Sequence, residues 1–161
     1  MIHKILLPLD GSDLAEQAIP HAISLAQTFK ATLIITRVVQ PTYIMAEYGS
    51  VAQANFVLAE QQAAYNYLKA METRLGKGDI SVRTVPQNHT LPADGILDLA
   101  EREAVDLIVM CTHGRSGLGR WIHGSVASKI LQSAPCTVYL VKATPIEESV
   151  QDGLQIETSL A

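Results

Sequence analysis

Hydrophobic positions along this chain switch repeatedly between two spacings. Ile2 to Leu9 is a short, nearly continuous apolar run, the pattern of a strand buried on both faces. Asp13-Leu14-Ala15-Glu16 then opens a helix, with Asp13 placed to cap it and Glu16 three positions on, in the manner of a capping box. Leu14, Ala18, Ala22, Leu25 and Ala26 keep to one face of that helix. Ala31 to Val39, carrying Leu33, Ile34, Ile35, Val38 and Val39, predicts a second buried strand. After a loop with Pro41, the stretch from about Ser50 to Leu75 is helical and rich in Ala and Gln, and Gly76 and Gly78 stop it. Ile80 to Val85 alternates, as an edge or half-covered strand does. Pro92 suits the first turn of a helix that runs through Ile96, Leu97, Leu99 and Ala100 to about Ala104. Asp106 to Cys111 is the fourth strand. A glycine-rich loop from Thr112 to His123, a short helix from about Ser125 to Ser133 and a last strand, Thr137 to Val141, complete the pattern.

Strand and helix alternate four times before a closing strand. That order predicts an α/β fold: an open five-stranded parallel sheet, Rossmann-like, with helices on both faces and right-handed crossovers. Residues 1–142 form the predicted domain. The tail, 143–161, has no clear period and is expected to be mobile or held by a partner chain. A length of 161 residues fits one hydrophobic core, and 48% hydrophobic with 17% charged residues is the balance of a packed globular protein. No stretch approaches the ~20 apolar residues that cross a bilayer. The amino terminus enters a strand-like run at once, with no separate apolar segment and cleavage site, so a cytoplasmic location is expected and a membrane partner is not. Cys111 and Cys136 are too few for a disulfide framework and lack metal-site spacing.

Charge changes the picture through its placement. Residues 1–142 balance 12 basic against 12 acidic side chains, and Glu147, Glu148, Asp152 and Glu157 in the tail supply the whole net charge of -4. Between Leu107 and Ile146 stand Arg115, Arg120, Lys129 and Lys142 with no carboxylate. A local positive stretch in a neutral body suits a small anionic ligand better than a nucleic acid, which wants a broad basic face and more than two Phe and one Trp.

The loop His113-Gly114-Arg115-Ser116-Gly117-Leu118-Gly119-Arg120-Trp121-Ile122-His123-Gly124-Ser125 lies between a strand end and a helix start, where open parallel sheets place their ligands. Its glycines allow close backbone approach, and Gly124-Ser125 fall at a helix amino end whose N–H groups and dipole favour an anion. Two familiar phosphate motifs fail here. No Gly-Lys-Ser/Thr exists for a Walker loop, and Gly117-Leu118-Gly119 would need glycine where Ile122 stands.

What remains, Gly114, nine residues, then Gly124-Ser125 directly after a strand, resembles the universal stress proteins, in their ATP-binding branch. That branch carries Gly-x2-Gly-x9-Gly-Ser/Thr. Ala134-Pro135-Cys136-Thr137-Val138 and the amino-terminal Ile5-Leu6-Leu7-Pro8-Leu9-Asp10-Gly11-Ser12 match it too, over about residues 1–142. The sequence departs from the pattern at Cys111, where the family's first glycine falls, and at Thr90, where a glycine often precedes the Pro92 turn. A side chain at 111 is expected to narrow the pocket.

The resemblance implies an adenine nucleotide alpha hydrolase-like fold and ATP, with or without Mg²⁺, as the ligand. It places Asp10 near the ribose, Val38 and Pro8 at the adenine, and Gly114, Gly124, Ser125 and Val126 at the phosphates, with Cys111 at the strand end before the loop and His113 and Arg115 within it. Each has a plainer reading. Asp10 has the alternative of stabilising the turn before Gly11-Ser12, Val38 and Pro8 suit the core equally well, and the glycines have the alternative of loop-to-helix geometry. His113 has no nearby carboxylate to orient it as a base, so hydrogen bonding or packing is favoured over catalysis. Trp121 anchors the loop or stacks on a base. Tyr43, Tyr48, Tyr65 and Tyr67 suit a lid or a packing face. Cys111 is a buried small hydrophobe or, beside a positive loop, a reactive thiol.

The favoured function is therefore an ATP-binding stress-response switch. A slow ATP hydrolase and a dimeric interaction protein without nucleotide are the alternatives. The resemblance also implies a homodimer paired through Thr137–Val141, an apolar strand at a sheet edge.

Overall fold

The computed structural model describes residues 1–40, 50–112 and 124–144, with the backbone alone for 50–54. Strand β1 (Lys4–Pro8) lies at the centre of a five-stranded parallel sheet. On one side it pairs with β2 (Thr32–Thr36), which in turn carries β4 (Val82–Thr84) at the edge. On the other it pairs with β6 (Leu107–Cys111), followed by the second edge strand, β7 (Thr137–Val141). Strand order therefore runs outward in both directions from β1, and the reversal falls between β1 and β6.

Apolar side chains fill both faces because a parallel sheet is covered on both. Ile5, Leu7, Leu33, Ile35 and Val109 point to one face, where α2 (Ile19–Phe29) and α3 (Ser50–Leu75) pack through Ala22, Ala26, Leu68 and Met71. Leu6, Ile34, Ile108 and Met110 point to the other and meet α4 (Pro92–Arg102) and α5 (Ser125–Ser133) through Ile96, Leu99, Ala127 and Ile130. Each large side chain here contributes about 1.5–3 kcal/mol on burial.

Several elements differ locally from the pattern-based expectation. The first helix is two: α1 (Asp13–Glu16) and α2 are parted at Gln17 and Ala18, because Pro20 lacks an N–H and fits only a new first turn. Ser12, not Asp13, caps α1, its Oγ accepting from the Ala15 N–H at 3.2 Å. The second strand is also two. It leaves the main sheet at Arg37, and β3 (Val38–Val39) pairs in parallel with β5 (Gln87–Asn88) as a separate two-stranded ribbon. Strand β4 is the edge strand its alternation predicts. Helix α4 closes at Arg102, and Ala104 takes a left-handed φ of 49° before β6. No described helix is long and apolar enough to cross a membrane.

Candidate functional site

At the carboxyl ends of β1 and β6 the chain leaves in opposite directions, and a cavity of about 470 Å³ opens between the departing segments. That volume is in the range of small-molecule sites. After β1, Leu9 still holds β2 through its N–H to the Thr36 carbonyl at 2.8 Å, but Gly11 then turns the chain with φ 85°. The turn is braced by Asp10, whose Oδ1 accepts from the Ser12 N–H at 2.9 Å and from its hydroxyl at 2.6 Å. The turn-stabilising role expected of Asp10 is thus present, and its carboxylate also borders the cavity.

The opposite wall comes from β6 and α5. Thr112 N–H donates to the Val141 carbonyl at 2.9 Å, and Gly124 N–H returns to the Thr112 carbonyl at 3.0 Å, so both ends of the glycine-rich loop are tied at one point. Gly124 is the cap residue of α5 and provides no side-chain cap to its first turn. A helix amino end is where N–H groups and the positive end of the dipole suit an anion, and this one borders the cavity through Gly124, Ser125, Val126 and Ala127. Lys129 of α5 pairs with Asp94 of α4 at 2.5 Å, beside the buried contacts of Ala127 and Ile130 that pack α5 on the sheet.

Seven of the ten residues singled out by sequence line this one cavity: Pro8, Asp10, Val38, Cys111, Gly124, Ser125 and Val126. The other three, His113, Gly114 and Arg115, lie outside the described residues, as do Arg120, Trp121, Tyr43 and Tyr48. Cys111 is 5% exposed, belongs to the core, and has its Sγ 3.7 Å from the Ala15 carbonyl oxygen. Burial pushes its thiol up to about 11, and the nearby Asp10 charge adds to this. A poorly ionised, buried thiol fits the packing reading and not the reactive one. The cavity persists beside it.

The structure adds residues that sequence reasoning missed. Arg37 and Glu60 bring a cation and a carboxylate to the wall, and Gln40, Thr112, Pro92 and Ile96 line it as well. The Arg37 guanidinium stacks on Tyr67 of α3, 5.3 Å from the ring centroid, and lies so close under Gly11 that a Cβ there would stand 3.1 Å from its Nη1. Tyr67 donates its hydroxyl to Glu16 at 2.8 Å; burial first, then that carboxylate, raises its pKa. A charge inside an apolar strand run, Thr36-Arg37-Val38, is a signal that would have pointed to Arg37. Glu60 has none, being one polar residue among many on α3.

Comparison with known proteins gives a consistent result. The model of the Universal stress protein family matches residues 1–142. A universal stress protein of Methanocaldococcus jannaschii is 36% identical over 142 residues, spanning 86% of this chain and 81% of that one. Another, from Methanothermobacter thermautotrophicus, is 33% identical over 145 residues, spanning 88% and 97%. Among solved structures, universal stress protein UspA from Lactobacillus plantarum superposes with a TM-score of 0.78 at 25% identity, covering 88% of this chain and 98% of that one. A universal stress protein in complex with cAMP superposes at 0.65 with 22% identity, covering 89% and 98%.

Proposed function

The chain belongs to the universal stress protein family, and from that premise we propose that its cavity binds an adenine nucleotide, ATP foremost, whose occupancy switches the protein's partner choice in a cytoplasmic stress response. The observation that carries this reading is the pairing of two unlike walls across 470 Å³. The α5 amino end at Gly124 and Ser125 suits phosphate oxygens. Asp10, at the end of β1, suits ribose hydroxyls as an acceptor. Between them Pro8, Val38, Ile96 and Met110 offer an apolar floor for a base. His113, Gly114 and Arg115 complete the phosphate side in this reading, and Mg²⁺ accompanies the nucleotide where the triphosphate is bound.

The same reading includes a homodimer paired through β7. This strand ends the sheet on one side and leaves Tyr139 41% exposed, an apolar edge that a second copy would cover. Light scattering at micromolar concentration should give twice the chain mass; a monomeric mass contradicts pairing.

Mass spectrometry of small molecules released from freshly purified protein, followed by calorimetric titration with ATP, AMP and cyclic AMP, tests the nucleotide. Cyclic AMP belongs in the set because a protein of this fold is known in complex with it. Saturable binding of one of the three is expected. A protein that is empty as purified and ignores all three at millimolar concentration refutes the proposal.

A further inference from the structure

The acidic excess of the chain lies in its tail, and the tail's root is fixed in place. Thr144 N–H donates to Gln17 Oε1 at 2.9 Å, while Gln17 Nε2 donates back to the Thr144 carbonyl at 2.7 Å. One side-chain amide thus grips both backbone groups of one residue, as a neighbouring strand would. Next to Gln17, the Glu16 carboxylate accepts from Tyr67 Oη at 2.8 Å and pairs with Arg74 at 3.1 Å, both on α3. The chain therefore departs toward residue 145 from a point one residue away from an α1–α3 contact.

Beyond that contact, Asn66, Lys69, Ala70, Thr73, Arg74 and Lys77 line a shallow groove of about 510 Å³ on α3 and the turn that follows it. From Asn66 to Lys77 the sequence carries three cations and one carboxylate. Lys69 reaches Glu72 at 3.4 Å and Arg74 reaches Glu16, yet their side chains are 64% and 53% exposed and keep further donors directed to solvent. Residues 145–161 carry Glu147, Glu148, Asp152 and Glu157 and no basic residue.

We propose that the acidic tail of this chain docks along this groove of the same chain, its carboxylates facing Lys69, Arg74 and Lys77. Length permits it. Seventeen residues reach roughly 55–60 Å when extended, whereas Asn66 to Lys77 spans only about 17 Å of helix axis. Each exposed ion pair contributes about 0–1 kcal/mol and would not hold two separate molecules together. Tethering changes this, because a short linker raises the effective concentration of the tail to the millimolar range. The contact is screened by salt. It is independent of whether the cavity binds a nucleotide.

Zero-length carbodiimide coupling of the full chain tests the placement, using an equimolar mixture of ¹⁴N and ¹⁵N protein mapped by peptide mass spectrometry. Amide links from Glu147, Glu148 or Asp152 to Lys69 or Lys77 are expected within one isotope, falling at least tenfold in 0.5 M NaCl. Links mainly between isotopes overturn the proposal in favour of a second copy. Absence of tail links, while the Asp94–Lys129 pair couples as an internal reference, overturns it outright. Amide NMR provides a second readout that needs no reactive lysine. In the full chain, Glu147→Gln, Glu148→Gln and Asp152→Asn together should shift the resonances of residues 66–77. Resonances that do not move contradict docking.

Discussion

The two ends of the sheet use polar groups in opposite ways. At the amino ends they are spent on one another. Asp106, just before β6, accepts from the backbone N–H groups of His3 and Lys4 at 2.7 and 2.9 Å; Lys4 Nζ donates to the Glu103 carbonyl at 2.6 Å; and Glu103 pairs with Arg83 of β4. These contacts stitch three strands to the end of α4. At the carboxyl ends the same strands diverge at the order reversal, and Asp10, Arg37 and Thr112, which also make contacts within the fold, line a cavity together with Glu60. The difference follows from topology. Each parallel strand must send its chain away over one face or the other, and only where neighbours go opposite ways does space open. The amino end therefore adds polar contacts that tie the strands together, and the carboxyl end holds the cavity.

If that division holds, substitutions at the two ends should separate affinity from stability. The largest effect is expected for Gly124→Leu, which puts a branched side chain at the α5 amino end. ATP affinity in a calorimetric titration should fall at least ~100-fold, about 2.7 kcal/mol, against a smaller stability loss of about 1 kcal/mol from placing Leu at a helix cap. Unchanged affinity would remove α5 from the site.

Gly95→Ala should cost about 2 kcal/mol in denaturant unfolding, from overpacking. A Cβ at this α4 position would stand 2.9 Å from His89 Cβ and 3.3 Å from Val38 Cγ1. Because Val38 lines the cavity, this variant should weaken nucleotide binding as well, the one case in which the division is crossed.

Asp106→Asn should cost about 1 kcal/mol, the scale of backbone bonds to a partly exposed charged acceptor, and leave affinity alone. Hydrogen bonds from His3 and Lys4 hold the Asp106 carboxyl below its ordinary range. Its stabilisation is thus present above the ordinary Asp value of about 3.9 and is lost as pH falls through the lowered one. Wild type and variant should converge in acid; a constant gap at all pH would contradict the carboxylate's role. The smallest signal is chemical. With its thiol near 11, Cys111 is about one part in a thousand thiolate at pH 8. Native protein should react with a disulfide reagent far more slowly at this position than unfolded protein.

Much of this was legible in the sequence, for identifiable reasons. The five main strands and the helices around them show as shifts of hydrophobic period, whereas the strand order, and with it the opposed strand ends, is set by packing that alternation alone does not specify. Pro8, Asp10, Val38, Cys111, Gly124, Ser125 and Val126 converge because they sit at strand ends and at the start of one helix. The two interruptions, Pro20 within the first helical run and Arg37 within the second strand run, were visible residues whose local effect outweighed the surrounding pattern. Glu60 was not legible. Helix α3 is long and weakly periodic, so which of its polar residues faces the cavity is decided by packing against β2 and β3, not by spacing.

The central claim is that ligand chemistry belongs to the carboxyl ends alone. Amide NMR of ¹⁵N-labelled protein titrated with ATP tests it most directly. Shifts are expected at residues 9–12, 37–40, 110–112 and 124–127, with residues 3–6, 83 and 103–107 unmoved. Shifts centred on the amino-end group, or none at millimolar ATP, would contradict it.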